Sequence, residues 1–465
     1  MTKEDKKNHL ILHDKNIYKG LIILALPLML NNLVKTIHDI IDLYFVGGIE
    51  GYGTKAISAI SLTFPIFFMY LSLGIGLSIA GTALISQLIG SNQKELAKKY
   101  AAQLVILSLL IGIGLNVFSF FFSPMIMEWM GTTGYTLENS SNYLRIRSFE
   151  LPGLFVFFAY TAIRQSSGDT VSPMIYGTLM VLVNILLTWL FIDILGYGVS
   201  GAAYATLFAN LLGLPLIIRS LFFAKDGITL TKEDLVWDKH IIKDISVTAI
   251  PAAVGQAITA MGFIFMNSII LSFGDETVAA FSVVNRISML ILYPVMAIGG
   301  VSAAFIGQNI GNLNKERARK VFTKSIVLSV SIMVIGLLSF MTIRENLVSI
   351  FLEEESAIDL ATKYMFFLLI GLPAMAVFQS FLGVFNGSGN TKFTLFISVS
   401  RLWLFRIPLI LSFKQFTNLN SSGVWYAMLL SNFLVIFIGI ALYRKVDFLP
   451  KVTKVKPNLV LEKAT

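Results

Sequence analysis

Lys35, His38, Asp39 and Asp42 stand at spacings i, i+3, i+4 and i+7 inside the apolar stretch Ile17–Val46. A helix gathers all four on one face and sets Lys35 with Asp39, and His38 with Asp42, one turn apart. At bilayer depth each ionisable group costs at least ~2.5–3.5 kcal/mol, so such groups face protein or a water-filled cavity. Structural pairing accounts for Lys35 with Asp39, which can neutralise each other and tie helices together. It leaves Asp42, one turn further on, as a candidate ion or proton site. Burial favours a neutral carboxyl and a nearby ammonium a charged one. Lys35 therefore opposes protonation of Asp42 unless Asp39 neutralises it. His38, whose ordinary pKa is near 6.5, can share the proton, or serve as a hydrogen-bonded packing residue.

The elements that must hold these groups are membrane helices. The chain has 465 residues, 55% of them hydrophobic and 14% charged, where soluble proteins carry about 25% charged residues. Twelve apolar segments follow one another: 17–46, 54–88, 97–122, 143–165, 171–194, 199–224, 242–272, 278–308, 319–343, 359–385, 393–413 and 421–443. They are too long for the ten-residue alternation of a membrane barrel. Residues 1–16 form a charged lead-in rather than a cleavable signal. The absence of cysteine excludes disulfides and thiolate metal sites.

The net charge of +9 does not point to nucleic acid, because its position identifies it as a topology signal. With both termini inside, 26 of the 36 Lys and Arg fall in cytosolic segments. The opposite side has only Lys55, Arg145, Arg147, Arg344, Lys363 and Lys414. A multi-pass protein of the cytoplasmic membrane with both ends cytosolic is expected.

The halves repeat. A shift of 221 residues lays ISQLIGSNQKELAKKY (85–100) over IGQNIGNLNKERARKV (306–321), matching Gln87 with Gln308 and Gly90 with Gly311. The same shift brings Pro152 over Pro373 and Ser167-Gly168 over Ser388-Gly389. Chance likeness of apolar sequence does not explain matches in polar loops. The expected domains are a tail 1–16, an N-lobe 17–224, a linker 225–241, a C-lobe 242–445 and a tail 446–465. The expected fold is all-α, with twelve transmembrane helices in two pseudo-symmetric six-helix lobes. Such a parallel bundle holds substrate between its lobes and exposes it alternately to each side. Proline within or at the ends of the segments (Pro27, Pro65, Pro251, Pro294 and Pro408 among them) suits bent helices, and Gly74, Gly76 and Gly81 suit close packing.

The copies GSNQKELAKK and GNLNKERARK and Asp42 followed by FVGG resemble the multidrug and toxic compound extrusion (MATE) family. So do NILLTWLFIDILGYGVSGAAYAT (184–206), PAAVGQ (251–256), VVNRI (283–287), NGSGNT (386–391) and SRLWLFRIPL (400–409). The likeness spans 17–445. It implies a V-shaped cavity between the lobes and export of cationic or amphipathic toxic compounds in exchange for sodium ions or protons. The family's first-helix acid matches Asp42, and the N-lobe cation site of one branch maps to Asn184, Thr188 and Thr206. There a second carboxylate is replaced by a hydroxyl. Sodium held by oxygens of Asp42, Asn184, Thr188 and Thr206 and proton carriage by Asp42 are both open. The single remaining carboxylate favours the proton. The C-lobe sodium site of another branch maps to Gln256 and Met375, so that site is expected to be absent. Asn32, Gln256 and Met375 are candidates for the cavity wall, and Arg286 and Arg401 for structural pairing or snorkelling. Thirty-seven Phe and 17 Met supply adaptable surface for amphiphiles, though most Phe suit lipid.

No cofactor is expected beyond the coupling ion. The expected partners are small cationic or amphipathic molecules and membrane lipid, the expected state a monomer. An ATP-driven pump needs a Gly-Lys phosphate loop and an intramembrane protease H-E-x-x-H, and neither occurs. The rival reading is a flippase of lipids or lipid-linked sugars, which a strongly cationic cavity would favour.

Overall fold

A computed structural model describes residues 3–49, 53–224, 226–352 and 354–452. The described secondary structure is helical throughout: α1 (Lys3–Leu12), α2 (Ile17–Gly47), α3 (Gly53–Gly90), α4 (Lys94–Trp129), α5 (Gly134–Ser148), α6 (Leu151–Ser166), α7 (Val171–Trp189) and α8 (Gly198–Phe223). After a charged connection come α9 (Lys239–Leu271), α10 (Asp275–Gly311), α11 (Lys315–Ser349), α12 (Glu355–Gly387), α13 (Thr391–Val399), α14 (Ile407–Phe416) and α15 (Ser422–Tyr443). Long apolar runs make these helices, because only a helix satisfies every backbone donor without water. Polar caps start several of them: the Asn16 side chain accepts from the Lys19 amide and that of Asn314 from the Arg317 amide.

Helices α5 and α6 are the limbs of one span bent by 50°. Pro152 sits in the first turn of α6, where its missing N–H costs nothing. The sequence places this span at 143–165, but it starts at residue 134, because the polar GYTLENSSN stretch carries no hydropathy signal. Helix α7 passes into a π turn at Leu190–Ile194, and a longer π segment, Ser400–Arg406, joins α13 to α14 in one span. The latter lies beside Pro408, which cannot donate to the carbonyl four residues back. With α5 and α6 as one span, twelve apolar spans cross in two lobes, α2–α8 and α9–α15.

The lobes meet at the end that carries the connection between them, and the repeat explains how. Gln87 Nε2 donates to the Gly387 carbonyl at 3.2 Å, and its counterpart Gln308 Nε2 donates to the Ser166 carbonyl at 2.7 Å. Residues 166 and 387 are themselves one repeat apart. A Cβ on Gly90 would strike the Gln308 carbonyl, and a Cβ on Gly311 the Gln87 carbonyl. Further in, Gly76 packs on Ala249 and Ala253. Near mid-helix, Thr36 Oγ1 donates to Tyr293 Oη at 3.0 Å. The matched loop residues are thus a symmetric closing contact.

Helix α1 bridges both lobes at this end. Ile11 is fully buried, Arg317 donates to the carbonyls of Ile11 and Asp14, and Lys7 Nζ lies 3.2 Å from Asp169 Oδ1. Burial alone would push the Asp169 carboxyl up, but the Ser172 hydroxyl and the Lys7 ammonium outweigh it and hold it below the usual carboxylate range. The Asp169 carboxyl is therefore charged at neutral pH, and its part of the clasp is lost as pH falls through that lowered value. Lys7→Gln, which leaves the hydrogen bonds of Ser172 to Asp169 intact, is expected to speed amide exchange in α1 while the spans stay protected. Unchanged exchange in α1 would remove Lys7 from the clasp.

Candidate functional site

Helices α2 and α7 run side by side in a fixed register. Gly177 faces Asn31, so closely that a Cβ there would lie 2.8 Å from Asn31 Oδ1. The same offset of 146 residues recurs two turns on, at His38 with Asn184 and Asp42 with Thr188. One glycine contact thereby sets which side chains of α7 reach the acid on α2. Helix α8 adds Thr206 behind Asn184.

His38 Nε2 lies 3.3 Å from Asp42 Oδ2, and Thr188 Oγ1 donates to Asp42 Oδ1 at 3.3 Å. The inner end of the Asn184 amide lies 2.6 Å from His38 Nε2, 3.2 Å from Thr188 Oγ1 and 3.3 Å from Asp42 Oδ1. With its NH2 at that end, Asn184 donates to the carboxylate while its oxygen accepts from Thr206, which is the orientation that satisfies both ends. A cation between Asp42, Asn184 and Thr188 would call for the reverse, the amide oxygen inward. Asn184 and Thr188 are buried, whereas the Asp42 side chain is 27% exposed, so the acid is enclosed but reachable.

The structure brings Asp42, His38, Asn184 and Thr188 together. Thr206 touches Asn184 rather than Asp42. Lys35 and Asp39 stand exposed on the rim, and no ion pair joins them among the described residues. Asp39 instead lies 3.6 Å from His38 Nδ1. The direct ion pair that the spacing allows is thus not formed.

Sequence reasoning counted Arg147 among the cations of the non-cytosolic side and passed over Glu150. Both sit at the bend between α5 and α6. Glu150 is 1% exposed; its Oε1 accepts from Arg147 Nε at 2.9 Å and its Oε2 from Asn210 Nδ2 at 2.7 Å. Arg147 also donates to Tyr143 Oη at 3.0 Å and lies over the Phe67 ring. The usable signal was an Arg-x-x-Glu pair beside Pro152. Glu150→Gln would leave Arg147 buried without its counter-charge. It is expected to cost about 3–5 kcal/mol, read as a lowered melting temperature of the purified protein. An unchanged melting temperature would show that the pair is structurally idle.

In the C-lobe, Gln256 and Met375 line a cavity of about 310 Å³ together with Arg401 and Arg406. Asn32 is not among its walls; it lies on α2, where its carbonyl accepts from Thr36. Arg286 is exposed on α10. Arg401 does not snorkel, and among the described residues it pairs with no acid: it is 6% exposed and lies over Phe378.

Two lobes of six spans, closed at one end, with an enclosed acid on the first span, define a membrane carrier of the two-lobe type. The chain belongs to the MatE family, whose model matches residues 27–190 and 251–411, and whose members are transporters rather than enzymes. It is 25% identical over 417 residues to the probable multidrug resistance protein YoeA of Bacillus subtilis (strain 168), spanning 88% of this chain and 90% of that one. It is 26% identical over 428 residues to the probable multidrug resistance protein NorM of Thermotoga maritima, spanning 89% of each. The fold matches the outward-facing structure of a multidrug resistance MATE family transporter with a TM-score of 0.89 at 23% identity, over 100% of both chains. It is a multi-pass membrane protein of that family.

Proposed function

We propose that this transporter exports cationic and amphipathic toxic compounds across the cytoplasmic membrane in exchange for protons, by alternating access. The observation that carries the reading is the Asp42 site: one enclosed carboxylate, a histidine 3.3 Å away, and Thr188 and Asn184 as its uncharged hydrogen-bond partners. A carboxylate so placed can hold a proton in one state and release it in the other. His38 is positioned to take or return that proton. A bound cation competes with it, which couples cargo to ion without direct contact between them.

In the orientation set by the Lys and Arg bias, both termini are cytosolic and the contacts of Gln87, Gln308, Gly90 and Gly311 close the cytosolic end. A sodium-coupled reading is favoured by one observation: oxygens of Asp42 and Thr188 lie 3.3 Å apart with the Asn184 amide beside both.

Reconstitution into liposomes with proton and sodium gradients imposed separately decides between them. Ethidium movement driven by the pH gradient alone is expected; movement driven only by sodium would overturn the proton reading. A fluorescent lipid in the same liposomes tests the flippase alternative.

A further inference from the structure

Arg401 and Arg406 are five residues apart, a spacing that turns two side chains to different sides of a regular α-helix. The π segment Ser400–Arg406, with its i→i+5 bonding, brings them to one side, and both reach the C-lobe cavity between α9, α10, α12 and α15. The guanidiniums belong to residues only 6% and 3% exposed, and no Asp or Glu lines the cavity among the described residues. Arg406 has neutral acceptors, Ser431 Oγ at 3.0 Å and Asn432 Oδ1 at 2.8 Å. Arg401 is poorly served. Its Nη1 meets only the Met375 sulfur at 3.0 Å, and its Nε has no acceptor among the described residues. Trp425 Nε1, on the same cavity, is also without one.

Two buried cations with no counter-charge, beside idle donors, are costly unless a ligand supplies the negative charge. The opposite walls, including Phe263, Met289 and Met296, are apolar and adaptable. We infer that this cavity binds an amphipathic organic anion. Its carboxylate, sulfonate or phosphate head lies against Arg401 and Arg406, and its apolar body against the Met and Phe wall. The bidentate fork of arginine suits such heads. The N-lobe then answers to cations and the C-lobe to anions. That the bound anion is cargo rests on the efflux reading, whereas binding itself does not.

The purified full chain in a neutral detergent is titrated with 1-pyrenebutyrate and with its uncharged analogue 1-pyrenebutanol, following energy transfer from tryptophan. The acid is expected to bind about tenfold or more tighter than the alcohol. Arg401→Gln should erase that preference and Arg401→Lys should restore part of it, while Arg286→Gln, exposed in the same lobe, should keep it. Arg401 anchors few hydrogen bonds, so its loss spares the fold; ethidium efflux by each variant checks folding and the efflux reading separately. Displacement of the pyrene acid by octanesulfonate supports a soluble anion as ligand, and displacement only by lysophosphatidylglycerol supports a lipid one. Equal binding of acid and alcohol, or a preference unchanged in Arg401→Gln, would overturn the inference and leave the efflux reading standing.

Discussion

Asp42→Asn is expected to reduce ion-driven ethidium efflux to the level of protein-free liposomes, with expression and insertion unchanged. Asparagine keeps the shape of the side chain and can still meet Thr188 and the Asn184 amide, each 3.3 Å from Asp42 Oδ1. What it cannot do is change charge. A purely structural acid would tolerate the swap, because hydrogen bonding at the site is nearly conserved. A carrier whose lobes respond to the charge of that carboxylate loses its coupling altogether. Efflux persisting in the variant at the parent rate would take Asp42 out of the mechanism.

The second large effect is expected at Gly90. A side chain there meets the backbone carbonyl of Gln308 across the lobe contact, and backbone cannot step aside as a flexible side chain can. Overpacking alone costs about 1–3 kcal/mol, enough to move a two-state equilibrium by about tenfold or more. Gly90→Val should hold the lobes apart at the closing end and lower efflux by about tenfold or more, with each lobe still folded. Gly311→Val should do the same through Gln87. The chain has no cysteine, so spin labels on Ser91→Cys and Asn312→Cys report the gap without background. A longer distance in the valine variants is expected; an unchanged distribution would mean that this glycine contact does not govern closure.

The repeat was legible because its best matches are polar, and polar loop residues are not fixed by hydropathy alone. Gln87, Gln308, Gly90 and Gly311 now have a shared reason to match, since each crosses to the other lobe. The twelve spans were legible for the opposite reason, since long apolar runs have few alternatives to a membrane helix. The first limb of the bent span was hidden because residues 134–142 are polar. Asp42 and His38 could be grouped from helical spacing, and Asn184, Thr188 and Thr206 through family resemblance. The register of α2 against α7 is a tertiary fact, carried by Gly177 packing on Asn31, and no single segment records it. Spacing alone does not fix a contact: Lys35 and Asp39 are one turn apart, yet no direct ion pair joins them among the described residues. Sequence reasoning reads Arg401 as pairing or snorkelling and passes over Arg406, because a π segment breaks the 3.6-residue period on which face assignments rest.

The most direct test is proton release on cargo binding. Purified protein in weakly buffered detergent near neutral pH, with a soluble pH indicator, is given ethidium in the absence of any gradient. If Asp42 surrenders its proton to make way for a cation, the parent protein acidifies the medium and Asp42→Asn does not. Equal acidification by both proteins would contradict exchange at Asp42.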